Sequence, residues 1–206
     1  MDTKYLINMK RIKDYLDIKV QEKKNFYNCL FNLHQKQISE DSHNISQNIY
    51  RAVTNKGKLI VCGNGGSHAQ ASHLSAELLI RFKANSKRPH FPAIALGSDA
   101  TVSTACSNDY GYENIFKTQL KSLLDFEDCF IAFSTSGLSP NVINAINYAK
   151  DKINSKNIFL ITGNKKVNNL NVEQIICPLL GTTETYQEYH LILIHMICNG
   201  LEVIYD

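Results

Sequence analysis

No two cysteines in this 206-residue sequence stand at Cys-x-x-C spacing, and the six present (Cys29, Cys62, Cys106, Cys129, Cys177, Cys198) follow no regular interval. That scatter excludes a disulfide framework. Cys62, Cys129 and Cys177 lie in or beside apolar, strand-like runs, where a free thiol behaves as a small hydrophobe. A reduced, cytoplasmic protein is expected. Charge of one sign is also scarce. The net charge is +3, and the basic stretch Lys10-Arg11-Ile12-Lys13 is short and interrupted. It reads as a solvated helix face, so no nucleic acid is expected as a partner. No apolar run approaches the roughly 20 residues that span a bilayer. Residues 1–16, MDTKYLINMKRIKDYL, lack the apolar core of a secretory leader, and no membrane partner is expected. There is no internal repeat, low-complexity segment or Pro/Gly/Ser linker. What is left is 44% apolar and 20% charged, a globular composition long enough to bury a substantial core.

Residues 1–38 read as an N-terminal helical extension, with apolar stripes at Ile12, Tyr15 and Leu16 and at Phe26, Leu30 and Leu33. Ser39 or Asp41 stands where it would cap a following helix through Ile45, Ile49 and Val53, ended by Asn55-Lys56-Gly57. Residues 39–206 form the main domain. Short apolar runs at 58–62, 93–96, 129–133, 157–161 and 174–177 alternate there with helical patterns at 67–82, 113–124, 141–150 and 185–205. Strands apolar throughout and separated by helices predict an α/β three-layer sandwich around a central parallel sheet of about five strands. Ligands of such sheets bind beyond the carboxyl ends of the strands, where strand order reverses.

Three strand-to-helix features carry chemistry. Gly63-Asn64-Gly65-Gly66-Ser67 lets backbone N–H groups approach a ligand at a helix N-terminus. It is neither a G-x-G-x-x-G fingerprint nor a P-loop, and a tight structural turn explains it equally well. Ser134-Thr135-Ser136-Gly137-Leu138-Ser139-Pro140 offers four hydroxyls and a helix start, a cradle for a phosphate monoester. Plain N-capping by Ser139 would need only one of them. Finally, His73 and Glu77 are i, i+4 on one helix, and Gln187 and His195 are two turns apart on the last. Nitrogen and oxygen donors on two facing helices suit a divalent metal such as zinc; taken singly, each is an ordinary polar residue on a solvated face. His68, His90 and His190 are read in that plainer way.

Together, GNGGS, His73-x-x-x-Glu77-Leu78, Asn108-Asp109-Tyr110-Gly111-Tyr112, STSG-x-S and Gln187-Glu188-x-His190 ending in His195 resemble the phosphoheptose isomerases. These enzymes of the sugar isomerase (SIS) domain convert sedoheptulose 7-phosphate to D-glycero-D-manno-heptose 7-phosphate, a step toward ADP- or GDP-heptose and surface glycans. The resemblance runs from about residue 40 to the C-terminus. It implies a flavodoxin-like SIS fold and a homotetramer with active sites shared between subunits. It implies one Zn2+ per subunit on His73, Glu77, Gln187 and His195, with Glu77 and His195 as the acid/base pair. Substrate contacts would fall on Asn64, Gly65, Gly66, Ser67, Asn108, Asp109, Ser134, Thr135, Ser136, Ser139 and Gln187. The departures are Leu138 where Asn is frequent, Glu184-Thr185-Tyr186 before Gln187, and Asn164-Lys165-Lys166 in place of a glycine-rich turn. They bear on which ketose phosphate is preferred, and on capsule against lipopolysaccharide as its destination. Two rivals share the fold: a non-catalytic protein that binds a replication initiator, and a phosphosugar sensor. Retention of Glu77 and His195 weighs against the first, and the full donor set against the second.

Overall fold

A computed structural model describes residues 3–205. The chain divides into two units, Met1–Ile38 and Ser39–Asp206. A single helix, α1 (Thr3–Thr54), supplies the described part of the first and opens the second. The cap expected at Ser39 or Asp41 is therefore not a helix start. No glycine or proline occurs before Gly57, so nothing breaks the helix. Further on, Ser46 satisfies its hydroxyl on the Ser42 carbonyl one turn back (2.7 Å), which lets a cap-type residue sit mid-helix. In the first unit Ile12, Tyr15, Leu16 and Leu33 are all more than half exposed. The helix ends where expected: Lys56 takes a positive φ of 69°, and the Gly57 N–H donates to the Ala52 carbonyl (2.8 Å).

The second unit continues through β1 (Leu59–Gly63), α2 (Gly66–Leu79), β2 (Ala93–Ala95), α3 (Ala100–Tyr110) and α4 (Ile115–Leu123). Then come β3 (Cys129–Ser134), α5 (Pro140–Lys150), β4 (Ile158–Thr162), β5 (Glu173–Ile176) and α6 (Thr183–Glu202). The five strands pair in parallel in the order β2-β1-β3-β4-β5, the three-layer α/β fold expected. Helix α3, unforeseen in the sequence, occupies the connection from β2 to α4.

Strands β1, β3 and β4 alternate their side chains between two buried faces. Ile60, Cys62, Phe130, Ala132, Ile158 and Leu160 belong to a core with Phe116, Leu120, Val142 and Ile146 of α4 and α5. Val61, Ile131, Phe133, Phe159 and Ile161, equally buried, face the opposite layer, which holds α2 and α6. All six cysteines are free thiols, and burial pushes the thiols of Cys62, Cys129 and Cys177 up from their ordinary value. No helix among the described residues is long and apolar enough to cross a membrane.

Two features of this frame place the site. β1 and β3 are neighbours whose following helices carry the chain outward to opposite sides, so their carboxyl ends open a crevice. Gly63 pairs with Phe133, so Asn64 leaves β1 beside Ser134, the last residue of β3.

Candidate active site

The turn after β1 is built on two glycines. Gly65 holds φ at 51° and has open space where a Cβ would stand. At Gly66, the first residue of α2, a Cβ would collide with the Gln187 amide. Gln187 of α6 thus packs directly on the start of α2. Seven residues further along α2, about 10 Å along its axis, His73 meets His195 of α6, Nε2 to Nε2 at 3.1 Å. The two helices therefore run side by side in the same direction.

His73 Nε2 lies 3.6 Å from Glu77 Oε1. The rings of His73 and His195 stand edge to face, 5.3 Å between centroids, and Phe82 flanks His195 at 5.7 Å. Of the four expected metal ligands, the structure gathers His73, Glu77 and His195, while Gln187 lies against Gly66. Among the described residues no cluster of three or more His, Cys, Asp and Glu side chains is closed enough to hold a metal ion. The donor chemistry nevertheless fits one. Two nitrogens on a tetrahedral zinc, each bonded at 2.0–2.1 Å, stand roughly 3.3 Å apart, close to the separation found here.

Asn64 is locked by two reciprocal amide hydrogen bonds with Asn141 at the start of α5, at 2.9 and 2.8 Å. Tyr112 donates its hydroxyl to the same Asn64 oxygen (3.0 Å). A cleft of about 240 Å³ opens beside this network, lined by Gly63, Asn64, Gly65, His68, Gly97, Ser103 and Tyr112. His68, read from sequence as a plain surface residue, is half-buried in this cleft with Nε2 3.3 Å from Ser72 Oγ. Asn108 and Asp109 lie outside the cleft. They are exposed near the end of α3, where Asn108 donates to Asp109 Oδ1 (2.9 Å).

In the second turn, Ser134 is buried; its hydroxyl accepts from the Gly137 N–H (3.2 Å) and lies 3.3 Å from Ser139 Oγ. Ser139 occupies the N-cap position of α5 without making a side-chain cap bond, so capping is not what its hydroxyl does. Ser67, at the other turn, is also buried. Thr135 and Ser136 face a cleft of about 450 Å³ shared with Asn164, Lys165, Thr183 and Tyr186. Tyr186 donates to Asn164 Oδ1 (2.7 Å) and accepts from the Gly181 N–H (3.0 Å), walling one side.

The SIS-domain family model matches residues 26–158. A phosphoheptose isomerase of Leptospira biflexa serovar Patoc is 45% identical over 148 residues, covering 71% of this chain and 74% of its own. That of Helicobacter pylori (strain P12) is 39% identical over 155 residues, 75% of this chain and 79% of its own. The chain belongs to the phosphoheptose isomerase family. Solved members superpose over nearly its whole length. The phosphoheptose isomerase of Francisella tularensis matches with a TM-score of 0.75 at 27% identity, and that of Neisseria gonorrhoeae with 0.71 at 26%. Each covers 95% of this chain and 98% of its own. The chain is accordingly an enzyme of the isomerase class, with the SIS fold.

His190, close to His195 in sequence, is not on a solvated face as expected. It is fully buried, with Nε2 3.0 Å from the Thr162 carbonyl at the end of β4. Burial lowers its pKa to about 4, the contact with Thr162 opposing that fall. His90 is exposed, as expected, with Nδ1 2.8 Å from the Leu79 carbonyl.

Proposed function

We propose that the chain interconverts sedoheptulose 7-phosphate and D-glycero-D-manno-heptose 7-phosphate, as a step toward ADP- or GDP-heptose and a surface glycan such as lipopolysaccharide or capsule. One observation carries the reading: His73 meets both His195 and Glu77, on helices that flank the crevice ending in the Ser134–Ser139 turn. Ketose–aldose exchange moves one proton from C1 to C2 through an enediol(ate), while O2 gains a proton and O1 loses one. Glu77 takes the C1 proton and returns it to C2. His195 gives a proton to O2 and recovers one from O1. The hydroxyls of Ser134, Thr135, Ser136 and Ser139 hold the distal phosphate at the start of α5 and so align C1 and C2 with those groups. Asn64, Gly65, Gly66, Ser67 and Gln187 line the approach to the sugar. Asn108 and Asp109 are further contacts by family likeness.

The residues that would hold one Zn2+ per subunit are His73, Glu77, Gln187 and His195; the ion would supply Lewis-acid polarisation of the sugar carbonyl. Because a carboxylate has two oxygens, Glu77 can ligate through one and act as base through the other. A homotetramer with shared sites belongs to the same reading and is checked by sedimentation.

The test is turnover of sedoheptulose 7-phosphate by the purified protein, before and after chelation and with zinc restored. Formation of the heptose 7-phosphate, lost on chelation and recovered with zinc, is the expected result. Binding of the ketose phosphate without product under any of the three conditions would overturn the reaction. Full activity after chelation would leave the isomerisation standing and remove the metal.

A further inference from the structure

Helix α2 ends without a glycine cap. Its C-cap residue Ile80 stays right-handed, and the orphan carbonyls of its last turn are met by a returning segment. The Arg88 guanidinium donates from one terminal nitrogen to the carbonyls of Leu78 (3.1 Å) and Pro89 (2.8 Å), and from the other to the carbonyl of Glu77 (3.0 Å). The Phe91 N–H also reaches Leu78, at 3.0 Å. The remaining nitrogen, Nε, donates to Glu202 Oε1 on the last turn of α6 (3.3 Å). Ser86 donates its hydroxyl to the other oxygen of Glu202, and Arg88 lies over the Phe91 ring at 4.6 Å. The side chains of Arg88 and Glu202 are each 2% exposed. Cys198, one turn before Glu202, lies within the fields of Glu77, Arg88 and Glu202; burial, reinforced by Glu77, raises its thiol to about 12.

A buried arginine is costly to desolvate, and an apolar pair of similar volume would stabilise a core as well or better. What an apolar pair would not do is grip the Glu77 carbonyl and α6 with one rigid planar group. α2 carries Glu77 and His73, and α6 carries His195. We propose that Arg88 is a positioning residue for the isomerisation: it fixes the C-terminal end of α2 against α6 and so holds Glu77 and His73 at their working distance from His195. The inference rests on the reading above for its reaction, but its geometric core is independent of substrate.

The experiment uses the full chain with Arg88→Met combined with Glu202→Leu, which removes both charges and leaves neither buried alone. Two readouts accompany the thermal midpoint: steady-state kinetics, giving kcat and KM for sedoheptulose 7-phosphate, and the through-space contact between the His73 and His195 rings by NMR of 15N-labelled histidine. The expected result is a folded protein whose kcat is down about 10- to 100-fold, as an ångström-scale misplacement produces. KM should stay within about threefold, and the imidazole contact should be weakened or lost. A folded double variant with wild-type kcat and an intact contact would overturn the proposal. If the double variant does not fold, Glu202→Gln, which keeps volume and an acceptor, is judged by the same two readouts. If the wild-type protein turns over no sugar phosphate, the proposed reaction fails. The clamp is then decided by the imidazole contact alone: loss in the variant supports it, and retention sinks it.

Discussion

Glu77 is half-buried, with one carboxylate oxygen 3.6 Å from His73 Nε2, too long for a strong hydrogen bond. Its side chain therefore adds little to stability, and its replacement reports on chemistry. Glu77→Gln should lower kcat by about 10²- to 10⁴-fold, the usual contribution of a positioned base, with the melting temperature nearly unchanged. His195→Ala should do the same. Steady-state kinetics beside a thermal melt decide it, and activity within tenfold of wild type in either variant would remove that residue from the acid/base pair. The pairing of His73 with Glu77 was legible in the sequence because one helical turn relates them. His195 stands 122 residues beyond His73, and no spacing rule connects them; their grouping rested on the donor chemistry of two helices taken to face each other, and on the resemblance. His68 and His190 were not legible, because whether a histidine lines a cleft or is buried under a helix depends on what the sheet brings over it.

At the scale of elements, Asn141 joins the first turn of α5 to the glycine turn after β1, two segments that sequence reading treated as separate phosphate and sugar features. It is 1% exposed, exchanges two hydrogen bonds with Asn64, and accepts from the Val142 N–H (3.0 Å). Asn141→Ala leaves the Asn64 amide half-satisfied beside the 240 Å³ cleft. The expected cost is about 1–3 kcal/mol, read by urea unfolding, with a several-fold rise in KM for the sugar phosphate. A stability loss with KM unmoved would show that the turn keeps its binding shape without this tie. The five strands were legible because each is a short apolar run between turn residues. Helix α3 was not, since its sequence ATVSTACSNDY is rich in β-branched and short polar residues with weak helix preference and buries only Cys106. It is held at its ends instead. Asp99 accepts from the N–H groups of Thr101 (2.7 Å) and Val102 (3.2 Å), and Gly111 closes it at φ 83°. In α1 the opposite error arose: good cap residues were present, but no breaker accompanied them.

At the scale of the whole folded unit, His190 links stability to pH. It sits where α6 meets the sheet, 5.9 Å from the Phe133 ring, with one nitrogen 3.0 Å from the Thr162 carbonyl and Nδ1 without a hydrogen-bond partner among the described residues. Burial holds the imidazole neutral, with a pKa of about 4 against its ordinary value of 6.5. Between those two values the unfolded chain binds the extra proton, so stability rises with pH through that window. The contribution is fully present above about pH 6.5 and declines as pH falls toward 4. From pH 7 to pH 5 the loss from this one group should be about 2 kcal/mol. His190→Gln removes the titration and keeps an amide N–H near the position of Nε2. Carboxylates titrate in the same range, so the informative quantity is the stability difference between wild type and variant, measured by urea unfolding at each pH. That difference should move by about 2 kcal/mol toward the variant at pH 5. A constant difference would mean that His190 binds its proton in the folded state as readily as in the unfolded one, and that acid acts on α6 through other groups.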